Sequence, residues 1–226
     1  MDTVRVALLR EVLAGTPWPG ATRRFARVLR SSVVPQGGGL LLVGTEEYEP
    51  WHLAAHLVDE AAWSGLPELA PTLVRHRARP GDPAHLAVGL GRLESVRRGE
   101  TLLVVAPERP EAELLERVRD ARRAGATVLA LDGGDPEVHG LAHEALTVAA
   151  RGNAMNAMNA VDTAGTMSSV DTMDAVDMDM DMDMVQHLVS AAAGENSLPG
   201  SRGGRPFRDR LSRLVDQLTS PPPARW

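Results

Sequence analysis

Thr101-Leu-Leu-Val-Val-Ala-Pro-Glu-Arg-Pro-Glu-Ala-Glu-Leu-Leu-Glu-Arg-Val-Arg-Asp-Ala-Arg-Arg-Ala-Gly-Ala-Thr-Val-Leu-Ala-Leu131 is the stretch whose reading decides the fold. It opens on a continuous apolar run, Thr101–Ala106, too short for a helix and suited to a strand buried on both faces. Leu114, Leu115, Val118 and Ala121 then repeat at helical spacing over Pro110–Ala124, and Gly125 stands where a left-handed cap is needed. A second apolar run, Thr127–Leu131, follows. Strand, helix, strand in about 30 residues predicts a parallel crossover unit.

The same alternation extends outward. Gly39–Val43 predicts a first strand and Pro50–Ser64 a helix. Pro71–Val74 predicts a second strand, and Leu86–Arg98, ending at Gly99, a helix. Downstream, Pro136–Glu144 predicts a short helix, Ala145–Ala149 a fifth strand and Val185–Ala193 a last helix. Two helices, about Thr3–Ala14 and Ala21–Val33, precede the first strand. The expected architecture is α/β, with five parallel strands between helical layers. Ligands in such sheets bind beyond the carboxyl ends of the strands.

Composition narrows the chemistry. The chain has 226 residues, 43% of them apolar, and no cysteine. Disulfides, thiolate zinc sites and cysteine nucleophiles are therefore excluded. Lysine is absent too, so all 24 basic residues are arginine, and a Schiff-base or P-loop lysine is excluded. No apolar run reaches 18 residues, and the first 15 residues do not read as a signal peptide, so a cytoplasmic protein is expected. The net charge of −6 is uneven. Residues 153–184 hold seven aspartates and eight of the nine methionines in short repeats, which predicts a disordered insertion. The tail, 196–226, is arginine-rich. It predicts a linker and a short amphipathic helix over Pro206–Leu218. The expected division is 1–34, 35–195 and 196–226.

Arg98-Gly-Glu-Thr-Leu-Leu-Val-Val-Ala, the helix-and-strand unit from Glu113 to Gly133, and Val138-His-Gly-Leu-Ala-His-Glu-Ala-Leu-Thr-Val resemble the sugar isomerase (SIS) domain family. Gly39-Leu-Leu-Leu-Val-Gly-Thr is similar to that family's first strand and loop. The resemblance spans about residues 35–195 and is best over 98–149. It implies a flavodoxin-like three-layer αβα sandwich that forms dimers or tetramers and binds phosphosugars or other carbohydrate derivatives.

The departures from the family pattern bear on function. The phosphosugar loop after the family's third strand is rich in hydroxyls and glycine. Here it reads Ala106-Pro-Glu-Arg-Pro-Glu-Ala-Glu, with no hydroxyl and with Glu108, Glu111 and Glu113 in place of neutral donors. Such glutamates are also ordinary partners of a helix N-terminus. The first loop keeps Gly44 and Thr45 but adds Glu46 and Glu47. The expected ligand-binding set is Gly44, Thr45, Glu46, Ala106 and Arg109. The resemblance implies a proton-transfer role for His187, paired with a loop carboxylate, Glu108 or Glu46. The reading favoured is a non-catalytic oligomeric binding or regulatory protein with a degenerate phosphosugar pocket. The alternative is a phosphosugar isomerase or sensor using His187 and Glu108.

Other clusters read as structural. His52 and His56 share a helix face, as do His139 and His143, but no HExxH glutamate accompanies them. MxM and MxxM spacing suits soft copper, yet it falls in a repeat that needs no function. Arg23, Arg27 and Arg30 form one helix face in a domain that is not basic overall, and the four tryptophans are scattered. No cofactor, metal, nucleic acid or membrane is expected. The expected partner is a sugar-phosphate-like small molecule or a protein.

Overall fold

The structure, a computed structural model, describes residues 3–33, 38–79, 81–148 and 181–195. Helices α1 (Thr3–Val12) and α2 (Trp18–Val33) lead into strand β1 (Leu40–Val43), helix α3 (Trp51–Ser64) and strand β2 (Pro71–Val74). Strand β3 (Thr101–Ala106), helix α4 (Ala112–Arg123), strand β4 (Thr127–Asp132), helix α5 (Pro136–Leu141), strand β5 (Glu144–Thr147) and helix α6 (Met182–Gly194) complete it. The strands form one parallel sheet in the order β2-β1-β3-β4-β5. The expected five-stranded α/β sandwich is what the residues build.

Alternation along each strand divides the core in two. Leu40, Leu42, Leu103, Val105, Leu129 and Leu131 face α2, α3 and α6. Leu41, Val43, Leu102, Val104, Val128 and Ala130 face α4 and α5. Both sets are almost fully shielded, which is why the strands read as unbroken apolar runs. Gly65 and Gly125, both at positive φ, end α3 and α4. Asp135 caps α5 by accepting from the N–H groups of Glu137 and Val138 at 2.9 and 3.0 Å.

Helix α2 starts three residues before the expected point and α5 stops three residues before its expected end, Glu144 opening β5 instead, and two further elements differ. No α-helix covers 86–98; Ala84–Leu86 and Leu90–Ser95 are short 3-10 turns. Between them Gly89 is extended and bridges Arg75, whose N–H donates to Val88 O at 2.9 Å. Glycines at 89 and 91 weaken a helix, and pairing beside β2 takes the backbone instead. Helix α6 starts at Met182, three residues before the expected point, because Asp181 caps it through the N–H of Asp183 at 2.6 Å. Met182 and Met184 thereby pack against the core. The rest of the expected insertion, 153–180, and the expected helix at Pro206–Leu218 lie outside the described residues.

Candidate functional site: the carboxyl edge at β1 and β3

Strand order reverses at β1. The connection to β2 runs one way along the sheet, and the chain then crosses back to β3 on the other side. The loops after β1 and β3 therefore flank the switch-point crevice. Gly44 leaves β1 there. A Cβ on Gly44 would sit 1.8 Å from Tyr48 O, so the tight turn requires glycine. His76 Nε2 lies 2.9 Å from Gly44 O. Thr45 is buried, and both its carbonyl and its hydroxyl accept the Tyr48 N–H, each at 3.2 Å. Its oxygens are thus engaged in holding the turn.

The next residue ties the two loops together. The Glu46 N–H donates to Glu111 Oε1 at 2.9 Å. Glu111 precedes α4 as its N-cap residue, yet its side chain caps nothing in its own helix and reaches across to the first loop. The Glu46 carboxylate accepts from Arg77 at 2.5 Å, and this hydrogen bond and the guanidinium charge hold its pKa below the ordinary value. Arg109 is engaged by Glu137 at 2.9 Å and lies 3.8 Å from Asp135. Glu108 stands exposed in the loop. Ala106 is fully buried and offers its carbonyl to the Gly133 N–H at 2.9 Å. The expected ligand-binding residues thus lie at this edge, Ala106 as the last residue of β3 and the others on the loops. Two donors among them, the Glu46 N–H and the Arg109 guanidinium, are turned to carboxylates within the chain.

Arg75, one residue beyond β2, joins several groups. Its guanidinium bonds Glu49 at 3.1 Å, Asp82 at 3.0 Å and Leu86 O at 3.3 Å, and lies 4.8 Å from the Trp51 ring centre. Beyond Trp51, an apolar groove of about 550 Å³ runs between α3 and the β2 edge, lined by Ala55, Val58, Thr72 and Leu86 among others.

Helix α6 reaches the same edge with its first turn. The Tyr48 hydroxyl donates to Asp183 Oδ1 at 2.9 Å and accepts from Gln186 Nε2 at 2.6 Å. Burial pushes its pKa up to about 12. His187, one turn on, lies against His56 of α3, with ring centres 4.6 Å apart and planes tilted by 52°. The structure brings His187 to a histidine of the neighbouring helix, while Glu108 stays on the exposed loop. His143 Nδ1 accepts the Val128 N–H at 3.0 Å, a structural use that takes it out of a pair with exposed His139. Among the described residues no group of three or more His, Cys, Asp or Glu is placed to hold a metal ion.

At the end of β4, Asp132 is fully buried. Its Oδ1 accepts from the Gly134 N–H at 2.7 Å and the Thr147 hydroxyl at 3.1 Å, while Oδ2 has no hydrogen-bond partner among the described residues. Burial raises its pKa above the usual carboxylate value. Sequence reading missed Arg75, Arg77, Tyr48 and Asp132. The arginines next to a strand end were the available signal, since charge placed directly beyond a buried strand marks the carboxyl edge.

No protein-family model and no curated protein matches the chain. Solved structures similar to it include the sugar isomerase domain of an RpiR transcription factor from Sphaerobacter thermophilus. The identity there is 12% over 86% of each chain, with a TM-score of 0.47. The NanR protein of Vibrio vulnificus, solved with ManNAc-6P, is similar at 13% identity. That match covers 96% of this chain and 76% of NanR, with a TM-score of 0.43. Both are similarities of backbone fold.

Proposed function

We propose that this chain is a SIS-like binding or regulatory domain that performs no isomerisation, and that its switch-point crevice is filled by its own carboxylates. The observation carrying this reading is the bond from the Glu46 N–H to Glu111 Oε1. A backbone N–H beside a tight glycine turn is the kind of donor an anionic ligand needs. Here an internal carboxylate takes it. Arg77 and Arg109 are likewise paired with Glu46 and Glu137. The carboxylates of Glu46, Glu108 and Glu111 on these two loops oppose the entry of a phosphate.

The exposed apolar side chains Trp51, Val58 and Trp63 of α3 support contact with another protein, a second copy of the chain included. The test is a thermal-shift series with hexose and pentose phosphates on the purified full chain, together with an aldose–ketose isomerisation assay. Flat melting curves and no turnover are expected. A rise of several degrees with one sugar phosphate, or measurable turnover, overturns the reading. Loss of that turnover in His187→Ala would then assign the proton-transfer role.

A further inference from the structure

We propose that His56 and His187 form a proton-sensitive latch that seats α6 on α3 while both imidazoles are neutral. Helix α6 is separated in sequence from β5 by residues 148–181, and it packs in the slot between α2 and α3. Its contacts fall into three groups. At its first turn, Asp183 and Gln186 hold the Tyr48 hydroxyl. At its last, Glu195 pairs with Arg10, and Arg30 donates to Ala193 O. Between them the two histidine rings meet at 4.6 Å.

That separation suits two neutral rings and opposes two cations. His56 Nδ1 is buried with no hydrogen-bond partner among the described residues, so a proton added there gains no acceptor among them. The charged and titratable groups around the pair come from several elements. Helix α3 contributes His52 and Asp59 beside His56, while Asp183 and Tyr48 at the first turn of α6 are bonded to each other. Asp59 favours a proton on His56. Burial first, then the His187 charge and His52 oppose it, and the balance holds the His56 pKa below its ordinary 6.5. Glu60 faces the far end of α6, where a Cβ on Gly194 would lie 1.5 Å from Glu60 Oε2.

The direction follows from linkage. A base whose pKa is lowered in the folded state contributes stability that is whole above its unfolded value of about 6.5. That contribution is lost as pH falls from there through the lowered value. Acidification therefore loosens α6. Because the first turn of α6 holds Tyr48, the same event frees the loop after β1 and carries a pH signal to the crevice. This inference is independent of whether the crevice binds a ligand.

Hydrogen exchange on the full chain, followed by mass spectrometry at pH 7.5 and 5.5 and corrected for intrinsic exchange, tests the latch. Protection across 182–194 is expected to fall, by up to about tenfold per linked proton, with β3 unchanged. His56→Gln and His187→Gln should each lose most of that pH dependence, while Asp59, Glu60 and Asp183 remain in both variants as internal controls. Equal α6 protection at the two pH values, or undiminished pH dependence in both variants, overturns the proposal. A histidine NMR titration of the unmodified chain needs no variant: a His56 midpoint at or above 6.5 also overturns it.

Discussion

The carboxylate of Glu111 accepts the backbone N–H of Glu46 at 2.9 Å, joining the loop after β3 to the loop after β1 across 65 positions of sequence. The bond crosses the point at which the sheet reverses its strand order. It is exposed, and Glu111 caps nothing else. Glu111→Ala should therefore cost less than about 1 kcal/mol in stability. Inorganic phosphate should raise the melting temperature of Glu111→Ala more than that of the unmodified protein, since the Glu46 donor is released. Equal responses would show that the donor is not accessible to anions.

Gly44→Ala should be far more damaging. The added Cβ meets Tyr48 O at 1.8 Å and Pro50 Cδ at 2.7 Å, so backbone has to move. Overpacking against backbone should cost about 3 kcal/mol. Urea unfolding measures it directly. A midpoint within error of the parent would mean that the turn is looser than its contacts indicate.

Arg75→Lys should lose most of what Arg75→Ala loses. One guanidinium serves Glu49, Asp82 and Leu86 O while lying over Trp51, and an ammonium cannot make that fork. The expected loss is about 1–3 kcal/mol in either variant, read by urea unfolding. Trp51 fluorescence should also shift, since its cationic neighbour is removed or displaced. Full rescue by lysine would reduce the site to a point charge.

Asp132→Asn should stabilise the protein at neutral pH and have little effect near pH 4. The sign follows from the raised pKa: burial makes the folded state hold its proton above the unfolded value of about 3.8. The neutral carboxyl thus favours folding at low pH, and that advantage is lost as pH rises through the raised value. Asparagine keeps an oxygen for Gly134 and Thr147 and carries no charge to desolvate. A gain of about 1 kcal/mol at pH 7 is expected, an unsatisfied buried group being worth roughly that. Destabilisation at pH 7 would show that the charge itself is needed there.

The sheet was legible because its strands are buried on both faces, so Leu40–Val43 and Thr101–Ala106 read as strands without ambiguity. The segment from 84 to 95 was not. Leu86, Leu90 and Leu93 repeat as a helix would, but the pairing of Gly89 with Arg75 is a tertiary event that leaves no periodic trace. The start of α6 was hidden for another reason: Met182 and Met184 belong to a repetitive run whose last members happen to find a cap at Asp181 and a core to pack on. At the carboxyl edge, Gly44, Thr45, Glu46 and Glu108 could be placed from strand ends alone. Their partners could not. Glu46 meets Arg77 and Glu111, and Tyr48 meets Asp183 from 135 positions away, through contacts that only the folded sheet creates.

Calorimetric titration of the unmodified full chain with a panel of hexose and pentose phosphates tests the central claim most directly. A crevice occupied by its own carboxylates predicts no saturable heat at millimolar ligand. Saturable binding at micromolar concentration, abolished by removing Arg77 or by Gly44→Ala in a still-folded chain, would contradict it and make the crevice a working phosphosugar site.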